Sequence, residues 1–258
     1  MNTKFNDEMI SAVKDLLFRM ADDQLILGHR NSEWTGLGPI LEEDIAFSSM
    51  AQDKLGHSQA LYQILHRLGE SDPDSLAFGR QEKEMKCCHL VEYPIGEYDF
   101  SLMRHFLFDE SETLRFEMLR NSSFEDLSNI ARKFSGELRY HTMHAETWIS
   151  QLSKGNDESS IRMQNALNIC YPLALGLFEP SDHEDILLSA NIFPGEKSLQ
   201  EKWNERVSSI LKKADLVIPE VSDIAISYGG RRGIHTEYLK PLLDEMTEVY
   251  NIDPQAEW

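Results

Sequence analysis

Four long stretches of this chain repeat apolar residues in alternating steps of three and four, and that period restricts the fold more than any other feature. Such stripes are helical, and a helix striped along one side has to bury the stripe against other helices. The breaks between stretches fall at glycine and proline clusters, so no β-sheet is expected. A first helix is predicted from about Phe5 to Asn31, ending near Gly36, Gly38 and Pro39, and a second from Pro39 to about Leu68, before Gly69 and Pro73. A third runs from about Glu97 to Arg120, and a fourth, capped by Ser122 or Ser123, continues to about Leu152 before Gly155. Joined pairwise by short turns, they form two antiparallel hairpins and hence an all-α four-helix bundle over about 5–153. Additional C-terminal helices are predicted at about 157–175, 196–213 and 234–250, packed outside the bundle. With 258 residues and no linker or low-complexity stretch, one domain spanning 1–258 is expected.

Charge narrows the partners. With 44 acidic and 25 basic side chains the formal charge is −19, which repels a phosphate backbone and offers no basic face to an anionic membrane. Nucleic acid and membrane are therefore not expected as partners. No apolar run approaches the roughly 18 residues of a membrane span, and Met1 to Asp7 lacks the basic-then-apolar pattern of a secretion signal, which points to the cytoplasm. The three cysteines, Cys87, Cys88 and Cys170, have no C-x-x-C spacing and read as reduced thiols. The run Cys87-Cys88-His89 receives no function, because adjacent thiols do not comfortably ligate one ion.

The informative residues are those that interrupt the stripes. The first helix carries Met9, Val13, Leu16, Met20, Asp23 and Leu27, so a carboxylate stands where hydrocarbon belongs. The second carries Ala46, Met50, Asp53, His57, Ala60 and Ile64, and the third has Asp109 and Glu110 between Phe106 and Thr113. On the fourth, Leu127, Ile130, Phe134, Glu137, His141, His144 and Trp148 form a stripe with a polar middle. Asp23 and Asp53 each lie about fifteen residues from the turn near Gly38, and Asp109 and Glu137 about fourteen from Ser123, so the four acids share one level. A layer of acids with histidines one turn away is how ferritin-like carboxylate proteins hold two metal ions: a carboxylate from each of two helices and Glu-x-x-His from each of the others.

The spacing departs from that pattern. Three residues after Asp53 stands Gly56, and three after Glu137 stands Tyr140; the histidines come one position late, which turns each by about 100° around its helix. Lys54 can bring an ammonium into the layer, where it would neutralise acids as a metal does. Two readings follow: a metal-free network of ion pairs over Asp23, Asp53, His57, Asp109, Glu137, His141 and His144, or a single ion held through Glu137, His141 and His144.

Several blocks, in one order from about residue 20 to the C-terminus, resemble a known family. They are Asp22-Asp23-Gln24-Leu25-Ile26-Leu27-Gly28-His29-Arg30 with Ser32-Glu33-Trp34; Pro39-Ile40-Leu41-Glu42-Glu43-Asp44-Ile45-Ala46; Phe106-Leu107-Phe108-Asp109; and Arg139-Tyr140-His141 with His144. Gly233-Ile234-His235-Thr236-Glu237 and Ala256-Glu257-Trp258 complete the set. The chain resembles the C subunits of phenylacetyl-CoA 1,2-epoxidase (phenylacetate-CoA oxygenase), the PaaC family. The resemblance implies a ferritin-like, non-catalytic, structural subunit of a multicomponent monooxygenase that epoxidises the aromatic ring in aerobic phenylacetate catabolism. It further implies a homologous catalytic partner subunit (PaaA-like) that carries the di-iron centre and binds phenylacetyl-CoA, other complex subunits including an NADPH-dependent reductase, and no cofactor in this chain.

Tyr228-Gly229-Gly230-Arg231-Arg232-Gly233 is a basic turn without P-loop spacing, and Arg231 and Arg232 are candidates to meet a partner carboxylate or a CoA phosphate. His29, Arg30, Glu33 and Trp34 combine an aromatic with charges, as interface anchors or as a helix cap. Two alternatives to the docking subunit stay open: a metal-dependent oxygenase in its own right, with the layer as its ligands, and a homodimer formed in the absence of the partner.

Overall fold

The computed structural model describes residues 5–220 and 226–254, so Ala256-Glu257-Trp258 lies outside the described residues. The described chain is all-α, with no strand among these residues, and takes the form of a ferritin-like bundle. Helix α1 (Asp7–Ser32) starts where the Asn6 side chain accepts from Met9 N–H at 2.8 Å; acids sit in its first turn and His29 and Arg30 in its last, as the helix dipole favours. Helix α2 (Leu41–Arg67) returns antiparallel after a tight turn in which Gly36, at φ +84°, donates its N–H to Asp44.

After the short helices α3 (Pro73–Phe78) and α4 (His89–Glu92) comes α5 (Tyr98–Leu119), followed by α6 (Glu125–Lys133) and α7 (Ser135–Ser153). The fourth predicted helix is thus two. Phe134, at φ −89° and ψ −1°, bends the chain just before Ser135-Gly136, a small-residue pair of the kind that kinks helices, while Leu138 N–H still bonds Phe134 C=O at 3.1 Å. The expected serine cap is also different: Phe124 is the cap position, and Ser123 Oγ donates instead to Ala190 C=O at 2.7 Å.

Helices α8 (Asp157–Leu175) and α10 (Glu196–Lys213) keep the predicted bounds and pack on α5, with α9 (Glu184–Ser189) between them in sequence and lying on α1. Trp203 of α10 is fully buried and donates Nε1–H to Leu107 C=O at 2.9 Å, fixing α10 on the far side of α5. Consequently α5 is surrounded, and its outward charges Glu110, Glu112 and Arg115 are buried too. The last helix, α11 (Leu239–Met246), is half the predicted length. Pro241 has no N–H to give a carbonyl four residues earlier, so the helix cannot run through from Ile234, and Ile234 to Tyr238 stay free for other contacts.

One buried apolar cluster extends from Ala12 to Leu243, and a smaller one gathers Trp34, Ala46, Phe47 and Met50. Backbones approach closely within the α1/α2 and α5/α7 pairs. The two pairs face each other mainly through side chains, and the polar layer occupies that space.

Candidate functional site

At the centre stands Asp109 of α5, fully buried. Lys54 Nζ from α2, also fully buried, lies 2.5 Å from its Oδ1, and its stem passes the Phe108 ring. His105, one turn earlier on α5, places Nδ1 2.5 Å from Asp109 Oδ2. Around this core two bonds cross between α2 and α7 as a reciprocal pair. His57 Nε2 of α2 lies 2.7 Å from Glu137 Oε2 of α7, while His141 Nε2 of α7 lies 3.0 Å from Asp53 Oδ2 of α2. Phe134, at the kink, covers the His57 ring at 4.1 Å between centroids. Further along the seam, His144 bonds Glu43 Oε2 at 2.9 Å, and Tyr98 donates its hydroxyl to the same oxygen at 2.5 Å.

Burial and charge settle the protonation states in physical terms. Burial, with repulsion from Lys54 and His141, pushes His57 down to about 3, so near neutral pH it donates to Glu137 as a neutral ring. Burial likewise lowers His105 to about 4. Burial opposes the charged form of Asp109, but Lys54 and then His105 outweigh it and hold the carboxyl well below its usual range. His141 is raised: burial works against its charge, and the bonds to Asp109 and Asp53 prevail. The bond from His141 holds Asp53 below its ordinary value, whereas burial and the nearby Asp53 raise Glu137.

The geometry corrects the register inferred from sequence. Asp53 and Glu137 are rim residues, with side chains 30% and 43% exposed. The fully buried inward stripe of α2 is Lys54 and His57, and that of α7 is Leu138 and His141. Each is an x-x-His pair three residues apart. The histidines are therefore in register, and the residues that differ from Glu-x-x-His are Lys54 and Leu138, each standing where the motif has glutamate.

Asp23 does not join the layer. It accepts from Arg231 Nη2 at 2.7 Å and from Cys88 N–H at 2.8 Å, on another side of α1, while the adjacent Gln24 points toward α5 and donates to Glu112 at 3.1 Å. Helical spacing thus brings together Asp53, His57, Asp109, Glu137 and His141 as expected, with His144 one turn beyond, and misplaces Asp23. It also carried two signals that the sequence reading missed: His105, four residues before Asp109, and Glu43, three before Ala46 on the α2 stripe.

The basic turn is also different from expectation. Arg231 is buried within the chain, spanning Asp23 and the carbonyls of Arg19 and Lys86 as an internal brace. Arg232 is exposed, beside Asp182 at 3.2 Å and Glu179 at 3.3 Å.

A two-metal carboxylate centre does not fit this donor set. Three of the four required carboxylates are missing: Lys54 and Leu138 stand at the two glutamate positions, α1 turns Gln24 rather than Asp23 toward α5, and the Lys54 ammonium already compensates Asp109. Among the described residues, the three donors that converge within 4.8 Å of one another are Cys87, Glu92 and His235, none of them in the layer.

The family model described as "Phenylacetic acid catabolic protein" matches residues 1–258. The C subunit of 1,2-phenylacetyl-CoA epoxidase from Escherichia coli (strain K12) is 32% identical over 241 residues, which is 93% of this chain and 96% of that protein. The chain therefore belongs to the phenylacetic acid catabolic protein family.

Proposed function

We propose that the chain is the structural, non-catalytic subunit of a cytoplasmic, multicomponent phenylacetyl-CoA epoxidase, beside a homologous subunit that carries the di-iron centre. Kinship with the Escherichia coli C subunit supports the substrate class. The observation that carries the non-catalytic part is Lys54, whose buried ammonium meets Asp109 where the metal-binding pattern has a glutamate. In this reading the layer is a polar brace. It ties α2 to α5 and α7 through paired charges and leaves the chain without a cofactor for oxygen chemistry.

What remains for the chain to do is dock. At the start of α2, Leu37, Ile40, Leu41 and Ile45 are exposed, and on α7, which the layer bonds to α2, Tyr140 and Met143 are exposed as well. Apolar surface of this kind suits a subunit interface. Arg232 is the member of the basic turn available to a partner carboxylate or a CoA phosphate.

The test is iron content by plasma mass spectrometry after expression in iron-supplemented medium, paired with reconstitution of epoxidation. Sub-stoichiometric iron in this chain, with activity that needs both it and the catalytic subunit, is the expected result. Stoichiometric iron that disappears in a Glu137→Ala, His141→Ala variant would overturn the reading and make the chain an oxygenase itself. Self-association that persists in the presence of the catalytic subunit would overturn the docking role.

A further inference from the structure

The glycine-rich turn before α11 is a docked segment. A Cβ on Gly230 would stand 2.2 Å from Cys87 O, and one on Gly233 2.3 Å from Lys83 O. Only glycine allows the chain after Arg231 to lie this close to the segment preceding α4. The approach delivers His235 to Cys87 and Glu92.

The three side chains converge, with the Cys87 thiol donating to Glu92 Oε1. His235 Nε2 lies 3.1 Å from Met85 C=O, which only accepts, so Nε2 carries a ring proton, and in the neutral ring Nδ1 then presents a lone pair. That Nδ1 lies 2.8 Å from Glu92 Oε1, and Cys87 Sγ lies 3.8 Å from Oε1 and 3.9 Å from Nδ1. The other carboxylate oxygen, Oε2, is already bonded by Thr236 N–H at 2.7 Å and Thr236 Oγ1–H at 2.6 Å, so Oε1 is the oxygen turned to Cys87 and His235. Arg30 anchors the Glu92 backbone carbonyl at 2.7 Å and keeps the acid from moving away. The side chains of His235 and Glu92 are fully buried, as is Cys87, so no bulk water separates the three.

We propose that Cys87, Glu92 and His235 form a binding site for a soft divalent transition-metal cation of the zinc class, with a structural role separate from the polar layer. Zinc bonds of about 2.3 Å to sulfur and about 2.0–2.2 Å to nitrogen and oxygen set donor separations of roughly 3.3–3.6 Å in a tetrahedron, so donor shifts of about half an ångström reach that geometry. Charge balances as well. Metal binding displaces the thiol proton to solvent, and one thiolate, one carboxylate and a divalent ion sum to zero in a buried site. The Met85 carbonyl, by holding Nε2–H, selects the ring tautomer that ligates through Nδ1. The ion would tie the segment before α4 to the segment before α11, stapling the C-terminal part of the chain to the bundle. This inference does not depend on the proposed function.

The test uses the full chain, stripped with chelator and titrated anaerobically with cobalt(II). A near-ultraviolet thiolate-to-cobalt charge-transfer band that saturates at about one ion per chain is expected, with loss of the band in Cys87→Ser. It should persist in the Glu137→Ala, His141→Ala variant, which separates this site from the layer. Zinc should raise the Tm of the stripped protein by a few degrees and leave Cys87→Ser unchanged. No charge-transfer band in the folded wild-type chain, or a band that survives Cys87→Ser, would overturn the assignment. So would an imidazolium signal from His235 in two-dimensional nitrogen NMR that is unchanged by added zinc, since the shared lone pairs would then hold a proton.

Discussion

Lys54 Nζ lies 2.5 Å from Asp109 Oδ1, and neither side chain is exposed to solvent. Removing one partner leaves the other charged and buried, so Lys54→Met or Asp109→Leu alone should cost about 3–5 kcal/mol of stability. The double variant should recover most of that loss, because hydrocarbon in both places leaves no uncompensated charge. Urea unfolding of the two single variants and the double completes the cycle. Strict additivity would show that the two residues do not act as a pair.

Acid should weaken the fold in a defined window. His57 is held at about 3 and His105 at about 4, both below the unfolded value near 6.5, so the unfolded chain takes up protons that the folded chain refuses. Their contribution is fully present above pH of about 6.5 and is lost as pH falls toward 3–4. Asp109, lowered well below its ordinary value, adds a loss that begins near pH 4. A His105→Gln, His57→Gln variant should therefore show a flatter dependence of the urea midpoint between pH 6.5 and 4.5. An unchanged slope would show that these rings are not kept neutral by burial.

Much of this site is legible in the chain, and the part that is not has a physical cause. Helical spacing places Asp53, Asp109, Glu137, His57 and His141 at one level, as found. The register does not follow from the acids: Asp53 and Glu137 are the conspicuous residues, but both sit on the rim, where a carboxylate is easily solvated. The inward positions carry Lys54 and Leu138, which look like an ordinary surface cation and an ordinary core residue. Asp23 is misplaced for a related reason. Its partner, Arg231, lies 208 positions away, and no local pattern reveals a contact of that range. A comparable separation hides Cys87, Glu92 and His235, for which the spacing of Gly229, Gly230 and Gly233 was the available signal.

That glycine spacing can be tested by contrast. Gly230→Ala would drive a methyl group into Cys87 O and should destabilise the chain by about 1–3 kcal/mol, since backbone would have to move on both sides. Gly56, exposed in the middle of α2, has nothing within 4 Å of the place a methyl group would take, so Gly56→Ala should stabilise by about 0.5–1 kcal/mol through helix propensity alone. Thermal unfolding of both variants decides it; equal effects would remove the case for a close approach at Gly230.

Leu41 and Ile45, 71% and 60% exposed, contribute little to this chain's own core. Leu41→Glu with Ile45→Glu should leave Tm within about 2 °C of the parent while weakening association with the catalytic subunit at least about tenfold, as expected when charge is placed in an apolar interface. Calorimetric titration of the two purified subunits measures it. Unchanged affinity would move the docking face elsewhere.

The inward register makes the strongest demand. If Lys54 and Leu138 stand at the two glutamate positions of a Glu-x-x-His pair, replacing both with glutamate restores the pattern on α2 and α7, with His57, His141 and Asp109 already in place. Lys54→Glu, Leu138→Glu should be unstable in chelator, because it buries two new carboxylates and strands Asp109 without its ammonium. In a Cys87→Ser background, which removes the separate cation site, iron(II) or cobalt(II) should then rescue the fold, raising Tm in a concentration-dependent way that neither the parent layer nor either single variant shows. A Gly56→His, Tyr140→His variant, which completes the motif from the rim acids Asp53 and Glu137, should gain no such rescue, since position 56 is exposed on the outer side of α2. Rescue of the second variant and not the first would return the site to the register read from the acids and place Lys54 outside the metal-binding pattern.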